Sequence, residues 1–218
     1  MITNILSSLE TLPYFTIESV RQLMGDEPAA EGTIQTGLYR WMKAGLILQL
    51  KKGMYMPRRF YDLHRGDEDF APAVSSILIP QSYLSLEFVL QRNSILTDVT
   101  YPVSAVTIKQ TRVFENTLGT FTYRSLKPCL YSGFSITEYM GIQIGFARKA
   151  KALFDFLYFR PSTSMGLSDG YHLAEDLRLN LDDFETQERV EFAGYITLSK
   201  SPKMEHILEN LEKTVWRP

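Results

Sequence analysis

Cysteine is almost absent from this chain. A single residue, Cys129, stands among 218, which excludes an internal disulfide and any zinc site built from several thiolates. Histidine is nearly as scarce: His64, His172 and His206 lie far apart, with none of the short spacings that hold a metal. No run of about 18 apolar residues occurs, so no membrane-spanning helix is expected. Met1-Ile2-Thr3-Asn4-Ile5 also lacks the basic-then-apolar order of a secretory signal. Together these absences lead to the expectation of a cytoplasmic protein. Catalytic signatures are missing too: there is no phosphate-cradling glycine loop, no Gly-x-Ser-x-Gly and no supported Cys–His pair. The expectation is no enzyme, no cofactor and no metal. Cys129, beside Pro128, reads as a small buried hydrophobe rather than a nucleophile.

Net charge is also small. The chain carries 23 basic and 25 acidic residues, a formal net charge of −2, which argues against a protein that coats nucleic acid over its whole surface. What the total hides is the distribution. Between Thr33 and Tyr61 stand Arg40, Lys43, Lys51, Lys52, Arg58 and Arg59 without one acid. Between Asp169 and Glu191 the acids Asp169, Glu175, Asp176, Asp182, Asp183, Glu185, Glu188 and Glu191 face only Arg178 and Arg189. One end of the chain is suited to meet an anion.

What is present in that basic stretch has a readable order. Ile5, Leu6, Leu9 and Leu12 share helical spacing, and Pro13 ends a first helix over Thr3–Leu12. Thr16 is placed to cap a second helix, Ile17–Met24, with Gly25 as its stop and Asp26-Glu27-Pro28 as a turn. In the third helix, between Gly32 and Gly45, Ile34, Leu38 and Trp41 recur at i, i+4, i+7 and define a core face. Thr36, Tyr39, Arg40 and Lys43 occupy the opposite face. Gly45 can adopt the left-handed C-cap, with Leu46 packing back in the Schellman manner. A hairpin follows: Leu46–Leu50, the turn Lys51-Lys52-Gly53, then Met54–Met56. Three helices and a basic-tipped hairpin spell a winged helix-turn-helix over residues 1–61.

The remainder reads as residues 62–79, a linker opening on the polar stretch Asp62–Asp69, and then an α+β domain over 80–218. Ser85 is placed as N-cap of a helix Ser85–Gln91, followed by strands at Val103–Lys109, Arg112–Glu115, Thr120–Leu126 and Gly141–Phe146. Helices are expected at Arg148–Phe159, Leu173–Leu179, Thr186–Tyr195 and Lys203–Thr214. The fold class is therefore α+β, a winged helix-turn-helix followed by a mixed α/β domain.

The functional reading follows from the third helix. A helix fits the major groove. There Arg40 and Lys43 can donate to guanine or phosphate, Gln35 can read adenine, and Thr33, Thr36 and Tyr39 offer hydroxyls. Lys51 and Lys52 at the hairpin tip meet the backbone or minor groove. The competing readings are a solvated helix face and a protein-interaction module that uses the winged helix as a dock. A nuclease reading would enlist Asp98 or Glu115 with Lys109. Lys151 and Asp155, at i, i+4, read as a surface ion pair, and Asp182-Asp183-x-Glu185 as a solvated helix start.

Four segments carry a family resemblance. Lys43-Ala44-Gly45-Leu46-Ile47 through Lys52-Gly53-Met54-Tyr55 resembles the winged-helix end of AbiEi-type antitoxins. Pro80-Gln81-Ser82-Tyr83-Leu84-Ser85-Leu86-Glu87 resembles the opening of that family's second domain. Tyr123-Arg124-Ser125-Leu126-Lys127-Pro128 ahead of Gly133 is a third match. Ala147-Arg148-Lys149-Ala150-Lys151-Ala152-Leu153-Phe154-Asp155-Phe156-Leu157-Tyr158 is the fourth, although Lys149-Ala150 stand where the family has proline-glutamate. The resemblance implies a type IV toxin–antitoxin regulator linked to abortive phage defence. It would bind inverted repeats in its own promoter and counteract a nucleotidyltransferase toxin without stable contact. The cluster Arg148, Lys149, Lys151 and Arg160 is the candidate antitoxin surface.

Overall fold

The computed structural model describes residues 2–24, 31–97, 102–161 and 171–216. The expected stop at Gly25, the turn Asp26-Glu27-Pro28 and the nuclease candidate Asp98 lie outside the described residues. The chain is a mixed α+β protein.

Its N-terminal part runs α1 (Ile2–Leu9), β1 (Phe15–Thr16), α2 (Ile17–Met24), α3 (Glu31–Lys43), β2 (Ile47–Lys51) and β3 (Met54–Pro57). Helix α1 stops at Leu9, short of the expected Leu12, and the chain turns over residues 10–13 before β1. Thr16 caps α2 as expected: its hydroxyl accepts from the Ser19 amide at 3.2 Å, and the Ser19 hydroxyl accepts from the Thr16 amide at 3.2 Å. Gly45 ends α3 with φ +71°. The Leu46 amide then reaches Trp41 O at 2.9 Å and the Gly45 amide reaches Met42 O at 3.0 Å, the two bonds of a Schellman motif. β1 and β2 both pair antiparallel with β3, giving the order β1-β3-β2.

The expected linker is not one. Residues 62–79 contain the end of α4 (Arg58–His64) and all of α5 (Phe70–Leu78), whose residues are almost entirely buried. The stretch Asp62–Asp69 is polar, but Phe70-Ala71-Pro72-Ala73-Val74 begins an apolar helix that the polarity of its neighbours masks. α5 packs on β4 (Ser82–Leu84), which precedes α6 (Leu86–Arg92). Strands β5 (Val103–Thr107), β6 (Arg112–Asn116) and β7 (Gly119–Ser125) follow, then a 3-10 turn at Pro128–Leu130. Cys129 sits exposed on that turn, against the expectation of burial, because Leu130 takes the inward position. The chain continues through β8 (Phe134–Tyr139), β9 (Ile142–Ala147), α7 (Lys149–Phe159), α8 (Leu173–Asp176), α9 (Thr186–Ser199) and α10 (Pro202–Thr214).

The second sheet has the order β6-β7-β5-β4-β9-β8, with β5–β7 and β4–β9 parallel and the other pairs antiparallel. All three residues of β4 are buried, so the sheet's centre is covered on both faces. Ser85 occupies the N-cap position of α6 but does not cap it with its side chain. The hydroxyl of Ser104 on β5 takes that role, accepting from the Phe88 amide at 3.1 Å.

Two apolar cores result. The first gathers Ile5, Leu6, Leu9, Phe15, Val20, Ile34, Leu38, Trp41, Ile47 and Tyr55. The second spans the larger sheet and its helices, and it also takes in Leu50, Met56 and Phe60. Side chains alternate across a strand, so the β2–β3 hairpin sends Ile47 and Tyr55 into one core and Leu50 and Met56 into the other. Two polar ties reinforce the junction. Lys51 Nζ donates to Leu78 O at 2.5 Å, satisfying a carbonyl at the end of α5, and Asn116 Nδ2 donates to Leu50 O at 3.0 Å.

A shared hairpin predicts shared unfolding. Trp41 lies in the first core and Trp216 in the second, so single-tryptophan variants Trp41→Phe and Trp216→Phe report the cores separately. In each, fluorescence and far-ultraviolet circular dichroism should trace one coincident urea transition; separate transitions would show the cores to be independent. Met56→Ala should lower the stability seen by both reporters by about 2–5 kcal/mol.

Candidate nucleic-acid interface

Helix α3 presents two faces of opposite character. Ile34, Leu38 and Trp41 are buried. Thr33, Gln35, Thr36, Tyr39, Arg40 and Lys43 are all exposed, Tyr39 to 61%. The Thr36 hydroxyl donates to Gly32 O at 2.6 Å, leaving its lone pairs outward. Arg40 and Lys43 lie in the last turn, where a cation also complements the helix dipole. Among the described residues neither is paired with a carboxylate.

The other four cations of the basic stretch divide. Arg58 Nε donates to both carboxylate oxygens of Asp62 at 2.9 Å, and Arg59 lies 3.6 Å from Glu10. Lys52 is exposed at the hairpin tip. Lys51, expected to point at a ligand beside it, turns the other way to Leu78 O, with its ammonium 6.0 Å from the Phe114 ring centroid. Burial, then the nearby charges of Lys109 and Arg112, hold its pKa below the ordinary lysine value. The outward cationic set is therefore Arg40, Lys43 and Lys52.

The candidate antitoxin surface does not form as expected. Arg148 and Lys149 pair with Glu191 and Glu188 of α9, at 3.1 and 3.3 Å. Arg160 lies over the Phe156 ring at 4.2 Å. Lys151 is 0% exposed, so its bond to Asp155, at 2.5 Å, belongs to the interior rather than the surface. The i, i+4 spacing identifies the pair, but it faces the interior instead of solvent. α7 is apolar nearly all round and buries its whole central stretch.

That pair anchors a network missed in the sequence. Asp155 also accepts from the Tyr83 hydroxyl at 2.9 Å and the Ser85 hydroxyl at 2.8 Å. The Lys151 ammonium lies 4.8 to 5.8 Å from the ring centroids of Phe154, Tyr195 and Tyr83. Burial pushes the Asp155 carboxyl up and the Lys151 ammonium down, and each is opposed by its partner's charge. Burial, followed by the adjacent Asp155, pushes Tyr83 up, so it remains a neutral donor. Gly133 approaches closely: with φ +78°, a Cβ there would collide with the Tyr195 hydroxyl. Tyr83-x-Ser85 and Lys151-x3-Asp155 lie about 70 positions apart, and only the fold brings them together.

Glu115 and Lys109, named for a nuclease, lie exposed on β6 and on the turn before it. Among the described residues no group of three histidine, cysteine, aspartate or glutamate side chains is placed to hold a metal ion. No helix among them is long and apolar enough to cross a membrane.

No family model and no curated protein matches this chain.

Removing one partner of a buried ion pair leaves the other charge uncompensated. Asp155→Asn should therefore cost about 3–5 kcal/mol in urea unfolding, and Tyr83→Phe, which deletes one donor, about 1 kcal/mol. Equal, small effects would show that the pair is not the hub of this network.

Proposed function

We propose that the chain is a DNA-binding transcriptional repressor whose N-terminal helices and hairpin act as a winged helix-turn-helix. The observation that carries the reading is the outer face of α3, with Gln35, Tyr39, Arg40 and Lys43 exposed and the two cations unpaired among the described residues. A helix carrying such side chains can lie in the major groove, the N-terminal positions Thr33, Gln35 and Thr36 nearest base edges and the later cations on phosphates or guanine. Lys52 extends the contact through the hairpin.

The finer proposal is an autoregulating antitoxin of the AbiEi kind, bound to inverted repeats of its promoter in the cytoplasm and antagonising a nucleotidyltransferase toxin without direct contact. Its support is that the resembling segments share one interior network: Tyr83 and Ser85 come from one, Lys151 and Asp155 from another, and Gly133 from a third. Arg148 and Lys149, though paired, keep exposed area and remain the accessible part of the proposed antitoxin surface. A protein-docking use of the same winged helix draws on the exposed side chains Leu23, Tyr39 and Leu46.

The test is fluorescence anisotropy on duplex from the region upstream of the protein's own gene. Wild type should bind with a log–log salt slope of about −0.9 per phosphate neutralised. Arg40→Ala should weaken binding by about 1–3 kcal/mol if it contacts guanine with both donors, and Lys52→Ala should weaken all sequences alike. Unchanged affinity in the Arg40→Ala, Lys43→Ala double variant would remove α3 from the interface. For the antitoxin role, co-expression with the adjacent gene should rescue growth only when this chain is present.

A further inference from the structure

Beside the hairpin tip lies a cleft of about 820 Å³, lined by Lys51 and Lys52 of the hairpin, by Leu78 at the end of α5, and by Lys109, Arg112 and Phe114. Its four ionisable lining residues are all cations, and they come from distant parts of the chain. Two belong to the β2–β3 hairpin and two to the β5–β6 connection and the start of β6. Among the described residues Lys52, Lys109 and Arg112 have no carboxylate partner. Lys51 is the fixed member, held by Leu78 O.

Folding alone does not account for this arrangement. Like charges gathered in a half-sheltered cleft repel, and water screens them less there than on an open surface. Several other cations of the chain are neutralised by a neighbouring carboxylate: Arg58 has Asp62, Arg92 has Glu68 and Asp69, and Arg148 has Glu191. The cleft lacks that compensation, which is the mark of a place where a polyanion supplies the countercharge. Its position decides which polyanion. Lys52 belongs both to the cleft and to the hairpin tip, so the cationic track leaves the tip and continues onto the larger unit.

We infer that Lys109 and Arg112, with Lys52, form a second phosphate-binding track that grips the duplex flanking the segment read by α3. This rests on the DNA-binding reading above, and it extends the footprint from the N-terminal helices to the β5–β6 edge of the second sheet. The chemistry is that of backbone phosphate and carries no base preference. Lys51 shapes the track rather than filling it, because its ammonium is committed to the end of α5.

The experiment uses the full-length chain and the upstream duplex, intact and shortened stepwise from each end. Lys109→Gln with Arg112→Gln should weaken binding on the long duplex about tenfold near 0.15 M salt. It should also flatten the salt slope by about 1.8, two phosphates' worth. On duplexes cut back to the segment protected by α3, wild type and variant should bind alike. Lys109→Arg with Arg112→Lys, which keeps both charges, should restore long-duplex affinity. The inference is overturned if the Gln variant keeps wild-type affinity and slope while Arg40→Ala, Lys43→Ala loses binding. It is equally overturned if the charge-preserving variant binds as poorly as the neutral one. It also falls if pyrophosphate binds the wild type in a Lys109- and Arg112-dependent way while long-duplex affinity is unaffected by their loss. If wild type binds no duplex at all, the DNA-binding reading fails first, a result distinct from these three.

Discussion

The structure turns on a hairpin with no free face. β2 and β3 send Ile47 and Tyr55 into the N-terminal core and Leu50 and Met56 into the larger one, so neither core is complete without the same nine residues. A sheet buried on both sides gains apolar burial twice, at roughly 25 cal/mol per Å² each time. Polar ties then set its angle: Lys51 on Leu78 O and Asn116 on Leu50 O hold the hairpin at two points along its outer strand. The Asn116 bond also satisfies one backbone carbonyl of β2, the outer strand of its sheet.

The larger unit has its own organising interaction. Asp155 is fully buried and collects an ammonium and two hydroxyls, from α7, β4 and the residue after β4. Buried ion pairs are weak sources of net stability, since desolvation offsets most of the attraction. What this one supplies is registration. Tyr83 and Ser85 can both reach Asp155 only if β4 sits beside α7 at one offset, and the three aromatic rings around Lys151 close the remaining space. With no exposure at either charged group, the network is placed to hold structure rather than to meet a substrate.

Much of the N-terminal part was legible in the sequence because its signals are local. The Thr16 cap, the Ile34–Leu38–Trp41 face and the Gly45 stop each depend on residues within a turn or two, and each is found. The misreadings share a different cause. Phe70–Leu78 reads as part of a linker because its burial is set by contacts with strands that come later in the chain. β4 is too short for alternation to show, and β8 carries mostly exposed side chains, as an edge strand does, so no buried face marks it. The hairpin turn places Lys51 at the surface and the i, i+4 spacing does the same for Lys151, where the deciding facts are a carbonyl 27 positions away and a helix whose central stretch is buried throughout. The outward face of α3 was anticipated residue by residue; the cationic cleft was not, because its members are separated by more than 50 positions.

The burial of α5 bears on where this protein can be divided. A natural cut by composition falls after Tyr61, yet a segment ending there would carry Leu50, Met56 and Phe60 uncovered, each of them below a tenth exposed in the intact chain. The seam between modules therefore runs through side chains rather than along the backbone. Recombination that exchanges the N-terminal head for another would have to transplant the matching lining of the recipient as well. In this architecture the head and the body inherit each other's surfaces, and sequence drift in one is constrained by shape in the other.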